Sequence, residues 1–169
     1  SVRKFTDKPI PEDVLNACLD LALLAPNSSN LQPWTFYVVQ DSAKKKQIVK
    51  ACLGQLAAKT ASELIVCVAR TDRIDEMAKR NINEFPLPEV PAMVKKYYTF
   101  IPYNYKTGYF NSLGNFKKVA FKLARTLDKQ LPVTAFSTDD AKLWATKTTA
   151  LACENLVLAL RAYGFDSCM

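Results

Sequence analysis

Apolar residues recur at Val14, Leu15, Cys18, Leu19, Ala22 and Leu23, the three-and-four spacing of one helix face. Pro11-Glu12-Asp13 ahead of them offers a first-turn proline and two acids at the positive helix end, so a helix is predicted from Pro9 to Leu24. Pro26 should stop it. The pattern then changes. Trp34 to Val39 is aromatic and β-branched and predicts a strand, and Ser42 is placed to cap a helix running through Gln55. Leu64 to Ala69 is a short, unbroken apolar run, expected as a strand buried on both faces. A charged helix is expected over 73–80, interrupted by Phe85-Pro86-Leu87-Pro88. Residues 89–132 read as an excursion from the main body, with helices near 89–98 and 114–127 around a loop containing Tyr, Pro and Gly. Thr138-Asp139-Asp140 should cap a long helix reaching Tyr163, Gly164 should end it, and 165–169 should begin another strand.

That last helix carries Leu143, Trp144, Ala150, Leu151, Cys153, Leu156, Val157, Leu158 and Leu160 around nearly its whole circumference. A helix apolar on every side must be covered on every side, and part of that cover is expected from a second copy of the chain. Helices and strands interleave with no internal repeat and no linker, so residues 1–169 are expected to form one α+β or α/β layered domain.

Composition narrows this little: 49% hydrophobic and 23% charged residues are ordinary for a globular chain. Lys and Arg number 23 against 16 Asp and Glu, a net charge of +7 that suits an anionic partner of any kind or a solubilising surface. Cys18, Cys52, Cys67, Cys153 and Cys168 show no metal-ligand spacing and lie mostly in apolar runs. They are expected as small core residues in a reducing compartment, with no metal site. No apolar stretch approaches the ~18 residues of a membrane span and no secretory leader opens the sequence, which together point to the cytoplasm. With a start at Ser1 without methionine and a stop at Met169 inside the last expected strand, both natural ends are expected to lie outside the sequence.

The chain has no histidine, which removes the commonest general base and the Ser-His and Cys-His nucleophile systems. With four glycines and no Gly-x-Gly-x-x-Gly or Walker pattern, a backbone phosphate cradle is not expected either. No side chain is therefore assigned a catalytic role, and a bound redox cofactor is the economical source of reactivity. Residues 25–34, Ala-Pro-Asn-Ser-Ser-Asn-Leu-Gln-Pro-Trp, look built to bind one: between two prolines they set uncharged donors and acceptors that suit the edge of a flat polar heterocycle, or simply satisfy a turn.

This loop, the upstream Ser1-Val2-Arg3-Lys4-Phe5 and the stretch from Trp144 to Met169, with Glu154-Asn155-Leu156 and Tyr163-Gly164-Phe165-Asp166-Ser167-Cys168-Met169, together resemble the nitroreductase family of flavin enzymes. The resemblance implies a mixed central sheet flanked by helices, in an intertwined homodimer with two FMN sites at the subunit interface. It implies NAD(P)H as reductant, a nitroaromatic, quinone or similar small molecule as acceptor, and ping-pong turnover at the flavin. Arg3 would meet the FMN phosphate, and Ser1 the phosphate or ribityl chain. Pro26, Asn27 and Ser28 would wall the flavin from the partner subunit, and Asn30 and Gln32 would touch it or brace the loop. Gln55 stands where the family often contacts the ring, and Met169 opens the family's flavin N5 contact.

The family also carries a variable insertion over its substrate at the place of the excursion. Tyr98, Phe100, Tyr103, Tyr105, Tyr109 and Phe110 are thus expected as a substrate lid whose rings sandwich flat molecules. Lysines interleaved with these aromatics, from 95 to 118, alternatively form a surface for single-stranded nucleic acid in a protein that is not an enzyme. The lid reading is preferred, with neither nucleic acid nor membrane as partner.

Overall fold

The computed structural model describes residues 2–127 and 135–169. In chain order the elements are α1 (Glu12–Leu23), β1 (Trp34–Val38), α2 (Ser42–Ala51), α3 (Leu56–Thr60), β2 (Ile65–Ala69), α4 (Ile74–Asn83), α5 (Ala92–Phe100), α6 (Ser112–Leu127) and α7 (Thr138–Ala162). They form two compact units: Ser1–Pro26, Trp34–Val68 and Thr149–Met169 in the first, Asn27–Pro33 and Ala69–Thr148 in the second.

In the first unit α1 packs on the second half of α7. Cys18 and Ala22 meet Leu156, Ala159 and Leu160, and Phe36 and Ile65 close the cluster from the sheet. Small residues at the contact let the two helix backbones approach closely. The sheet pairs β1 with β2. Its ends are marked by Arg70 N–H donating to Pro33 C=O and Val39 N–H donating to Leu64 C=O, a register that makes the strands antiparallel. The expected mixed sheet is thus a two-stranded antiparallel one among the described residues. β2 is consequently less enclosed than its apolar run implied: Cys67 and Ala69 are exposed.

Other boundaries shift for local reasons. The cap of α2 is Asp41, whose carboxylate accepts from Lys44 N–H at 2.7 Å, not Ser42. Its helix ends at Ala51, because Leu53 (φ 54°) and Gly54 (φ 66°) turn left-handed in succession, and Gln55 becomes the residue that opens α3. The cap of α7 is a reciprocal pair: Ser137 Oγ accepts from Asp140 N–H at 3.1 Å, and Asp140 Oδ2 accepts from Ser137 N–H at 2.9 Å. Hydrogen bonding of its carboxylate to the Ser137 side chain, and to the N–H groups of Phe136 and Ser137, holds Asp140 below its ordinary range. At its other end α7 closes in a Schellman turn. Gly164 (φ 85°) donates to Arg161 C=O and Phe165 to Leu160 C=O. Residues 165–169, expected as a strand, form none here. Asp166 turns back to Arg161 at 2.6 Å instead of joining a ladder.

In the second unit the core is Leu31, Ile74, Met77 and Ala78, with Tyr98, Ile101, Tyr105 and Trp144 packed against it. Lys117 on α6 binds this unit together through its ammonium, which donates to the carbonyls of Ala135 (2.6 Å), Lys106 (2.8 Å), Asn104 (3.1 Å) and Tyr103 (3.2 Å). Partial burial lowers its pKa. Gly114 lets α6 approach Phe136, whose carbonyl oxygen occupies the space a Cβ would need.

Candidate functional site

The N-terminal segment lies along α3, where the Thr60 hydroxyl accepts from Phe5 N–H at 2.9 Å and donates to Leu56 C=O at 2.8 Å. This anchor places Val2, Lys4 and Lys8 on the wall of a cavity of about 620 Å³ in the first unit, which Gln55, Cys67 and Met169 also line. Gln55 occupies the N-cap position of α3, where its side chain makes no capping bond, and the residue lines the cavity. Arg3 is exposed beside it and donates from Nη1 to Cys168 Sγ at 2.6 Å. A guanidinium has five N–H donors, so most remain for an anion. The structure thus gathers Arg3, Gln55 and Met169 in one unit. Ser1 lies outside the described residues.

The cysteines depart from the expected core role. Cys18 alone is buried; Cys52 and Cys67 are exposed, and Cys153 and Cys168 are half-buried. Burial of its thiol, with a hydrogen bond between the Cys67 and Cys153 thiols that favours the protonated form and the charge of Cys153 opposing a second thiolate, pushes Cys67 up to about 12 although much of the residue is open to solvent. The two findings concern different parts of the residue, and for reactivity the thiol's surroundings govern.

The loop after Pro26 lies in the second unit and has an unusual backbone. Ser29 (φ 59°), Asn30 (φ 47°) and Gln32 (φ 41°) are all left-handed, a conformation that costs L-residues roughly 1–2 kcal/mol each, less for asparagine. A dense set of bonds holds it. Asn27 Oδ1 accepts from Gln32 N–H at 2.8 Å, Gln32 Nε2 donates to Asn30 Oδ1 at 3.3 Å, and the Ser29 and Tyr97 hydroxyls pair. Asn81 on α4 adds three bonds: its Nδ2 donates to Asn30 C=O (2.9 Å) and Ser29 C=O (3.2 Å), and its Oδ1 accepts from Asn30 Nδ2 (3.0 Å). Between the polar residues Leu31 and Pro33 are fully buried and fasten the loop to its unit. Asn30 and Gln32 brace one another and border a polar pocket of about 270 Å³ with Arg80, Asn81 and Tyr98. Pro26 and Ser28 are exposed and Asn27 is half-buried.

The lid residues divide in two. Tyr98 and Tyr105 pack on the core, and burial raises both phenols, with Ser28 hydrogen-bonded to Tyr105 opposing the rise. Tyr105 stacks on Trp144 with ring centroids 4.1 Å apart. Phe100, Tyr103, Tyr109 and Phe110 are exposed, Phe110 at 93%. Lys106 lies 5.0 Å from the Tyr103 ring centre and pairs with Asp75 at 2.8 Å.

Thr60, Asn81 and Lys117 carry much of this geometry; Thr60 and Asn81 were not singled out from the sequence, and Lys117 was read there only as one of the lysines among the aromatics of 95–118. Each acts on a backbone group distant in the chain, and only the aliphatic neighbours of Asn81 at helical spacing, Met77 and Ala78, hint at an inward-facing position.

The sequence model described as the nitroreductase family matches residues 1–169. The chain belongs to that family. Among its relatives an NADH dehydrogenase from Thermus thermophilus is 39% identical over 69 residues, which cover 41% of this chain and 34% of the relative. The match thus spans about a third of that relative's length. The nitroreductase fold is evident in the solved structures: the Bacillus subtilis protein ydfN superposes with a TM-score of 0.69 at 20% identity, covering 99% of this chain and 69% of its own. An Exiguobacterium sibiricum protein solved in complex with FMN gives 0.61 at 19% identity, covering 98% and 67%.

Proposed function

We propose that this chain is part of an enzyme that binds FMN and reduces a nitroaromatic, quinone or similar electron-poor small molecule at the expense of NAD(P)H. The cavity of about 620 Å³ in the first unit carries the reading. It lies within the ~300–1,000 Å³ range of ligand pockets. The donor set fits the cofactor chemically: Lys4 and Lys8 on the wall, with the Arg3 guanidinium bonded to the wall residue Cys168, for a phosphate dianion, the Gln55 amide for the ring's polar edge, and apolar walls for its faces. When bound, FMN would supply two-electron redox chemistry linking NAD(P)H to the acceptor, with ping-pong kinetics.

The chain's own residues bind and orient. Arg3 would pair with the phosphate, Gln55 would fix the ring edge, and Met169 would border it. Ser1 would assist at the phosphate or ribityl chain. Asn27, Ser28, Asn30 and Gln32 would act as a rigid platform, since a loop already held in a costly shape needs no ordering when a ring meets it. With no histidine in the sequence, protons would come from water. The exposed rings of Phe100, Tyr103, Tyr109 and Phe110 would meet flat substrates as a lid.

The assembly we propose is a homodimer in the cytoplasm, in which Pro26, Asn27 and Ser28 of one protomer wall the ring held by the other. Exposed Leu21 on α1 and Leu24 just after it, with Leu151 and Leu158 seven residues apart on one face of α7, support it as an apolar surface in want of cover. The test is direct. Purified protein should be yellow, release FMN on denaturation and sediment as a dimer. A colourless monomer that cannot be reconstituted with FMN would overturn the proposal, and steeply salt-dependent binding of single strands would favour the nucleic-acid reading.

A further inference from the structure

In the first unit β2 meets α7 through Ile65, which packs against the cluster of Cys18, Ala22, Leu156, Ala159 and Leu160. Side chains alternate along a strand, so Cys67, two residues on, leaves β2 on the side that Ile65 takes. On α7 Cys153 precedes Leu156 by one turn and shares its face. The two thiols meet there: Cys67 and Cys153 are hydrogen-bonded to each other, and both line the cavity of about 620 Å³. Cys67 is open to solvent and Cys153 half-buried, so a small molecule in the cavity reaches the pair. The other cysteines are differently placed. Cys18 is buried between α1 and α7, Cys52 is exposed at the end of α2, and Cys168 accepts from Arg3.

The position of the pair along the chain is a second, independent observation. Cys67 comes just before the chain leaves the first unit at Val68, and Cys153 just after it returns at Thr149. A bond between the two sulfurs would close the chain on itself at that neck and tie together both ends of the 69–148 segment. In a reducing compartment such a pair rests as two thiols, and a bridge between them is transient and answers to oxidant.

We propose that Cys67 and Cys153 form a peroxide-responsive dithiol, which hydrogen peroxide converts to a disulfide stapling β2 to α7 and which a small thiol reductant restores. The inference stands apart from the flavin reading, since it invokes no cofactor. The Cys153 sulfur attacks one peroxide oxygen: an S–O bond forms, the O–O bond breaks, and the departing oxygen leaves as water with the thiol's proton. Cys153 is thereby oxidised to a sulfenic acid. Cys67 then attacks that sulfur, the S–S bond forms, and the sulfenic oxygen leaves as a second water with the Cys67 proton. Two thiols have given up two electrons and two protons, and one peroxide has become two waters. Cys153 takes the first step because burial holds Cys67 protonated, and the thiolate is the nucleophile. In the second step the sulfurs are already in contact, and the gain from an intramolecular reaction offsets the reluctance of Cys67.

The test takes the full chain as purified, fully reduced and freed of reductant, exposes it to limiting hydrogen peroxide, alkylates it under denaturing conditions and maps it by mass spectrometry without reduction. A cross-linked peptide pair holding Cys67 and Cys153, about 2 Da lighter than the sum of the two, should exceed every other pairing and disappear with dithiothreitol. In concentrated urea that preference should vanish. Two variants read the order of the steps. In Cys67→Ser, dimedone should trap a sulfenic acid on Cys153; in Cys153→Ser, Cys67 should stay a thiol at the same dose. Oxidised wild type should melt about 5 °C or more above the reduced protein, a difference that both variants lack. The wild-type map needs neither variant to fold. Cys67 and Cys153 still open to alkylation after Cys52 has been oxidised would overturn the proposal, as would the same pairings in urea and in buffer. A Cys67–Cys153 bond found only between two chains, as a covalent dimer on a non-reducing gel, would overturn it too.

Discussion

Asn81 is the strongest single test of how the loop is held. Replacing it with alanine removes three hydrogen bonds, to Ser29 C=O, Asn30 C=O and the Asn30 side chain. At about 1 kcal/mol each the gross loss is ~3 kcal/mol, and because water reaches most of these groups after the change, ~1–2 kcal/mol should remain. For a chain of this size that corresponds to a fall in Tm of about 3–6 °C. The loop should feel it more than the fold does. Ser29, Asn30 and Gln32 each relax from a left-handed backbone when the brace goes, and affinity for FMN should drop on the order of tenfold as the platform loses its preset shape. Urea melts of the apoprotein and fluorescence titration with FMN measure the two quantities separately. An Asn81→Asp variant sharpens the contrast, since it keeps Oδ1 as acceptor but turns an oxygen toward two carbonyls, and it should be at least as damaging as alanine. If Asn81→Ala melted within 1 °C of wild type and held FMN equally well, the loop's conformation would not depend on α4 and this account of it would be wrong.

Arg3→Ala should weaken FMN retention by roughly 10- to 100-fold, the worth of a charge-assisted pair, while shifting the melt little because the side chain is exposed; unchanged affinity removes Arg3 from the site. Gly114→Ala should destabilise by about 1–3 kcal/mol in a urea melt, since the new methyl meets the Phe136 carbonyl and the Asn111 side chain, and a neutral result would mean that α6 shifts freely. Cys67, at about 12, should resist thiol reagents at pH 8 while exposed Cys52 reacts, and labelling of Cys67 should begin only as pH climbs toward that value; mass spectrometry after brief alkylation reads both. Acid should loosen the start of α7. Asp140 is held below its ordinary range in the fold, so its contribution is full above the unfolded value and is lost as pH falls through the folded one, a dependence that Asp140→Asn should abolish in melts from pH 5 to pH 2.

What could be read from the sequence was what short-range physics decides. The period of α1, the capping acids and serines, and the glycine ending α7 are local features, and the helices stand within a few residues of where they were placed. Errors arose where a distant partner or its absence decides. β2 was expected to be covered on both faces, but with one neighbouring strand it leaves Cys67 in the open. Residues 165–169 were expected to begin a strand, yet a strand needs an edge to join, and Asp166 finds Arg161 instead. The break between α2 and α3 turns on Leu53, a residue with no intrinsic taste for a left-handed backbone. In the candidate site, Arg3, Gln55 and the loop amides were named from the resemblance, and the structure holds Arg3 and Gln55 in one unit and the loop in the other. Asn81, 51 residues from the carbonyl it holds, was not legible, because nothing near it in the chain records that contact.

The grip of Lys117 on four carbonyls has a mechanical corollary. A helix tied at its midpoint to residues 103–106 and 135 cannot bend around an incoming molecule one turn at a time; it must travel with those residues or stay. In the lid proposed above, access would then be graded by how far a whole plate swings rather than by its contour, so bulkier reactants should be penalised in how quickly they enter and leave, while the tightness with which they are finally held changes little.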